Sequence, residues 1–299
     1  MTIALARPPQ LPVNPSAPST PPAGTSRISS DDLADLHRAK LLLENPGFAA
    51  KLAGHIGAPL ERGFAKLPKN WAETIQKASQ AALWRALSVA VGSMTKKPRD
   101  EYSEITHKVM VGATGWIGGA FGLAALAIEL PISTTIMLRS IADIARDEGH
   151  DINDAAVRLS CLEVFALGGP SKSDDATESG YWIVRAALSK AISEATAYVT
   201  QRGIMEKTAP AVIRLVATIA SRFGVVISEQ AAAKALPIVG AVTGSTINVL
   251  FMDHFQNMAR GHFIVKRLES KYGTGMVREI YETLAVPVKR LPESTQRVE

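Results

Sequence analysis

Two long stretches of this chain carry no charge, and they limit its fold more than any other feature. Residues 109–128 and 235–252 contain no Asp, Glu, Lys or Arg over 20 and 18 positions. Both are punctuated by glycine: Gly112, Gly115, Gly118, Gly119 and Gly122 in the first, Gly240 and Gly244 in the second. Glycine costs about 1 kcal/mol per site in a water-exposed helix. So many of them make sense where another backbone comes close, and the four-residue spacing of Gly115 with Gly119 and of Gly118 with Gly122 suits such an approach. Twenty residues at about 1.5 Å each would also cross the roughly 30 Å hydrocarbon core of a bilayer. The sequence therefore predicts two glycine-bearing hydrophobic helices, packed centrally or in contact with lipid.

The rest of the chain reads as helix. Hydrophobic residues make up 46% of it and aromatic ones only 6%, a light apolar stock suited to helices meeting at short range. Leu33, Leu36 and Leu43 recur at helical spacing behind Ser30, a good N-cap, until Asn45-Pro46-Gly47 stops the run. Phe48, Leu52 and Ile56 follow in the same way. Asn70 and Glu73 open a helix with Trp71, Ile75, Ala78, Ala82 and Leu83 on one side. After Leu130-Pro131, where the helical run is expected to break, Ile136, Met137, Ile141 and Ile144 lead towards Gly149. Further helices are expected after Asn153, over 181–201 and 210–223, and through Phe255, Phe263 and Leu268 to Gly273. No alternating strand pattern occurs. The fold class predicted is all-α: one multi-helix domain over 31–285, a Pro-rich disordered tail over 1–30 and a flexible tail over 286–299.

Charge and cysteine narrow the function. The single cysteine, Cys161, excludes an internal disulfide and fits a reducing, intracellular compartment. Residues 1–30 lack the apolar run of a secretory signal. The net charge of +5 is concentrated in 60–108, where nine Lys/Arg face five acids directly before the first charge-free stretch. A basic surface attracts nucleic acid or anionic lipid alike. The apolar neighbour favours lipid, on the cytoplasmic face of a membrane, and nucleic acid is disfavoured.

Candidate chemistry is sparse. Glu129 is the only charge between Lys108 and Arg139. It is either an ionisable group held in an apolar setting, paired with Arg139, or the solvated end of a helix. Arg139 and Asp143 are spaced i, i+4, as expected of a binding face or of a solvated ion pair. His254 and His262, with Asp253 nearby, invite a metal. Eight residues of helix would hold the two rings about 12 Å apart, too far for one ion. Phosphate-loop, dinucleotide, nucleophile-elbow and zinc motifs are absent, and no cofactor is predicted.

The stretch Gly112-Ala-Thr-Gly-Trp-Ile-Gly-Gly-Ala120, with Glu129-Leu130-Pro131 and residues 138–145, resembles the central signature of the EcsC family. Gly57-Ala58-Pro59-Leu60-Glu61 with Leu67-Pro68, residues 164–168, and residues 237–241 with Asn248 resemble its flanking blocks, in order, so the likeness covers roughly 40–285. The family takes its name from an operon that also encodes an ABC transporter. The resemblance thus implies a membrane connection and no particular reaction. The expectation is a non-enzymatic membrane-associated accessory protein, with lipid or a membrane protein such as an ABC transporter as partner. The alternative is a soluble hydrolase-like enzyme using Glu129 and Asp143 in a helical pocket.

Overall fold

The computed structural model describes residues 27–44, 48–56, 59–92, 122–169, 180–202, 209–236 and 244–285. Among them are ten helices and no strand. In chain order these are α1 (Ser30–Leu43), α2 (Phe48–Ile56), α3 (Glu61–Phe64), α4 (Trp71–Gly92), α5 (Gly122–Asp147), α6 (Ala155–Leu167), α7 (Gly180–Arg202), α8 (Pro210–Ala235), α9 (Gly244–Tyr272) and α10 (Thr274–Thr283). The all-α class read from periodicity is the class observed.

Local signals set most of the boundaries. Ser29, one residue before the cap expected, accepts a hydrogen bond from the Asp32 amide at 3.2 Å and starts α1. Asp154 does the same for α6 through Ala156. Pro210 opens α8 as its first residue, where a missing N–H costs nothing. Gly149, at φ 84°, takes the left-handed turn that ends α5.

Pro131 does not break its helix. α5 runs unbroken from Gly122 to Asp147 with Pro131 inside it. Behind the proline, Ser133 and Thr135 donate their hydroxyls to the carbonyls of Leu130 and Pro131 at 3.1 and 2.7 Å. Packing of the following turns, with Met137, Leu138 and Ile141 fully buried, holds the helix through the missing bond.

The centre belongs to α6. Ten of its residues, Val157 and Leu159 to Leu167, are buried, and it packs against α4, α5, α7, α8 and α9. Four phenylalanines are gathered here: Phe165, Phe223, Phe251 and Phe255 form edge-on and tilted pairs with centroids 5.1–6.3 Å apart. The predicted pair of charge-free helices needs correction. The second stretch is divided between two helices, since α8 ends at Ala235, with Leu236 extended after it, and α9 begins at Gly244. Of the first stretch, 122–128 form the opening turns of α5. Gly115, Gly118, Gly119 and Gly240 lie outside the described residues. Gly122 and Gly244 are the first residues of α5 and α9.

One end of the bundle gathers several of these termini. α5 and α9 run in the same direction, shown by the contacts Ser140–Gln256 and Glu148–Arg267. Gln230 near the end of α8 donates to Asn248 near the start of α9 at 3.1 Å. Gly63 of α3 abuts Ala232 of α8, and Gly224 of α8 abuts Gln76 and Ser79 of α4. The C-terminal end of α8, the N-terminal ends of α4, α5 and α9, and α3 therefore share one pole.

Candidate functional site

The three residues singled out from sequence do not converge. Glu129 and Arg139 are half-buried and Asp143 is exposed, all on α5. Glu129 and Asp143 are fourteen residues apart on one continuous helix, about 21 Å at its normal rise. Paired carboxylates that share a bond-breaking step sit about 5–9.5 Å apart. The two cannot act on one bond, which removes the geometry of the hydrolase alternative. Arg139 is ten residues, about 15 Å, from Glu129, so that expected pairing also fails. Asp143 pairs instead with Arg146, one turn onward. Glu129 faces α8, where its charge opposes the effect of burial on Lys234, which is held below its ordinary pKa.

The strongest ionisable cluster lies in the interior, and of its members the sequence reading weighs only His262, as one of two histidines too far apart to share a metal. α6 contributes Glu163, α7 Tyr181 and Arg185, and α9 His262 and Glu269. The Tyr181 hydroxyl lies 3.1 Å from His262 Nδ1, and His262 Nε2 lies 3.4 Å from Glu163 Oε2. Arg185 donates both of its terminal nitrogens to Glu269, at 2.8 and 3.0 Å, and stands over the rings of Tyr181 and Trp182 at 5.4 and 5.0 Å. His262 has no exposed surface, and Glu163 and Tyr181 almost none.

Electrostatics follow from that burial. Loss of water holds His262 at about 4, in spite of the pull of Glu163. Burial raises Glu163, but His262, Arg185 and Lys266 together more than reverse it and leave the carboxyl below its ordinary value. Burial also pushes the Tyr181 phenol far up. At neutral pH the imidazole is therefore neutral beside an ionised carboxylate. With the phenol donating to Nδ1, the ring proton sits on Nε2, which lies on the Glu163 side at 3.4 Å without completing a hydrogen bond to it. The order hydroxyl, imidazole, carboxylate matches a base held in orientation, but this hydroxyl is a buried phenol that resists ionisation. What the arrangement does is fasten α6, α7 and α9 to one another.

Two further buried groups serve the same end. His254 Nε2 donates to the Gly168 carbonyl at 2.8 Å, closing the end of α6, and burial holds its pKa at about 4. It and His262 thus serve different partners. Glu229 of α8 is pushed up to about 7 by burial, against a hydrogen bond from the backbone of Ala49 at the start of α2. Cys161 is fully buried, its thiol raised by that burial, so it is core and no nucleophile. Among the described residues no three His, Cys, Asp or Glu side chains gather as a metal would need.

Sequence offered one signal for the missed cluster. Glu163 is the only charge between Arg158 and Lys172, and a lone carboxylate within an apolar run asks for a buried partner.

Fold and site together define a large all-α domain whose ionisable groups knit its own helices together. The chain belongs to the EcsC protein family, whose model matches residues 49–268. No curated protein and no solved structure matches it.

Proposed function

We propose that this chain is a non-enzymatic accessory protein that works at the cytoplasmic face of a membrane, on lipid or on a membrane-protein partner such as a transporter. The observation that supports this reading most is topological. Both charge-free stretches of the sequence join the described helices at one pole, at Leu236, Gly244 and Gly122, and α3 with exposed Arg62, followed by exposed Lys66 and Lys69, lies at that pole too. Apolar chain beside basic surface is the combination that anionic lipid retains. Among the described residues only α8 is long and apolar enough to cross a bilayer, and half of its apolar window is packed inside the bundle. The reading therefore covers peripheral attachment or partial insertion at that face.

Fractionation of expressing cells tests it. The protein is expected in the membrane pellet, partly released by high salt and fully by detergent. At 1 M salt the reach of charge attraction falls to about 3 Å. Protein found wholly in the soluble fraction at low salt would refute the reading.

A further inference from the structure

We infer that the corner formed by α3 and the start of α4 is the surface that meets the bilayer, and that it recognises anionic phospholipid headgroups. The inference rests on the membrane reading above and assigns it to particular residues. Arg62, Lys66 and Lys69 are all exposed on this corner, and none of the three reaches a carboxylate among the described residues. Several cations elsewhere are paired, Lys77 with Glu73, Arg146 with Asp143, Arg214 with Glu194, Arg267 with Asp35 and Glu148, and Lys271 with Asp32, while others such as Arg38, Lys190 and Arg202 are exposed on α1 and α7; this corner differs in bringing three exposed cations together around an aromatic pair. Between the three free cations stand Phe64, Leu67 and Trp71, each half-buried, with the rings of Phe64 and Trp71 5.5 Å apart. An aromatic pair whose outer edges reach solvent, ringed by cations on flexible stems, matches the headgroup layer. There indole and phenyl rings lodge at the boundary and lysine stems extend to phosphate.

The corner is also rigidly placed. Gly63 lets α3 lie directly against the backbone of α8, with the Ala232 carbonyl carbon 2.6 Å from where a Cβ would stand. The three cations are thereby held at the pole where the charge-free stretches meet the described helices. Two exposed aliphatic side chains stand on the helices that start at that pole, Val249 in the second turn of α9 and Ile132 ten residues into α5.

Vesicle co-sedimentation of the full chain tests the assignment. The probes are phosphatidylcholine vesicles with and without roughly 30% phosphatidylglycerol, enough to give a negative surface potential. The wild type is expected to bind the anionic vesicles and not the neutral ones. A triple variant, Arg62→Glu, Lys66→Glu and Lys69→Glu, is expected to lose at least about tenfold in partitioning, since each cation near such a surface contributes severalfold. A control with the same charge change, Arg38→Glu, Lys190→Glu and Arg202→Glu, alters exposed cations on α1 and α7, away from this pole. It is expected to keep most of the binding. Equal loss in both triples would overturn the corner and leave the membrane reading standing. A wild type that binds neither vesicle would overturn the lipid assignment, while the fractionation above decides the membrane reading separately. Preferential capture of duplex nucleic acid over anionic vesicles, in direct competition, would also overturn the assignment. Because the substituted side chains are exposed, both triples should retain the wild-type melting temperature, so that loss of binding is not loss of fold.

Discussion

Replacing Gly63 by alanine adds one methyl group where the structure has no room for it. The ideal Cβ would run into the Ala232 carbonyl oxygen, with the carbonyl carbon at 2.6 Å and the Cα at 3.1 Å. Comfortable contact between carbons is about 3.5–4.0 Å, so α3 and α8 must separate by about 1 Å. The obstacle is backbone and cannot rotate aside. Overpacking of this kind costs about 1–3 kcal/mol, set against a helix-propensity gain of up to about 1 kcal/mol. The expected net is a loss of about 1–2 kcal/mol, or about 2–8 °C in melting temperature for a domain of this size. Gly54, in α2, has nothing within 4 Å of its Cβ position. The same substitution there should raise stability by up to about 1 kcal/mol. Thermal melts followed by circular dichroism, with urea midpoints alongside, compare the two variants with wild type. A Gly63→Ala protein that melts at or above the wild-type temperature would refute the close approach of α3 to α8.

Other consequences can be measured in the same way. His254 and His262 titrate at about 4 when folded and about 6.5 when unfolded, so the unfolded chain binds more protons between those values. Their contribution is complete above pH 6.5 and lost as pH falls towards 4, about 3 kcal/mol for each ring. Glu229, raised to about 7, works in the opposite direction between its unfolded value and 7. Glu229→Gln should therefore gain stability relative to wild type at pH 8 and gain little or nothing at pH 5, as read from urea midpoints. Arg185→Met leaves the half-buried Glu269 without its bidentate partner and should cost about 2–3 kcal/mol, read from the same melts. Lys40 donates to the carbonyls of Tyr281 and Leu284 at 2.7 and 2.8 Å. Lys40→Met should cost about 1–3 kcal/mol and speed proteolysis within α10, and unchanged cleavage there would count against this anchoring role.

The helical class was legible because apolar residues recur at helical spacing in almost every segment, and because Pro210, Asp154 and Gly149 act locally. Pro131 was misread for a reason that lies outside its neighbourhood. A proline removes one intrahelical bond and disfavours the helix by about 3 kcal/mol, yet burial of Met137, Leu138, Ile141 and Ala145 just beyond it outweighs that cost. The second charge-free stretch was misread in the other direction. Absence of charge carries no information about where a helix ends, and Leu236 extends the chain inside a run of uniform hydropathy. Pro237 directly after it was the available signal, since it disfavours helix at the residue before.

The site was harder to read because its partners are far apart in sequence. Glu163 and His262 are joined only when α6 and α9 pack against each other, and neither residue has a local pattern that names the other. Sequence could show that each was an ionisable group in apolar surroundings, and Arg139 and Asp143 drew attention instead because their spacing is local. The same logic separates interior from surface. Groups that burial shifts most strongly, Glu163, Tyr181, His254 and His262, are spent on holding helices together. The uncommitted charges Arg62, Lys66 and Lys69 project outward at the pole where the charge-free stretches join the bundle. On the membrane reading proposed above, recognition would fall to such surface groups, and the α3–α4 corner is where exposed charge and an aromatic pair coincide.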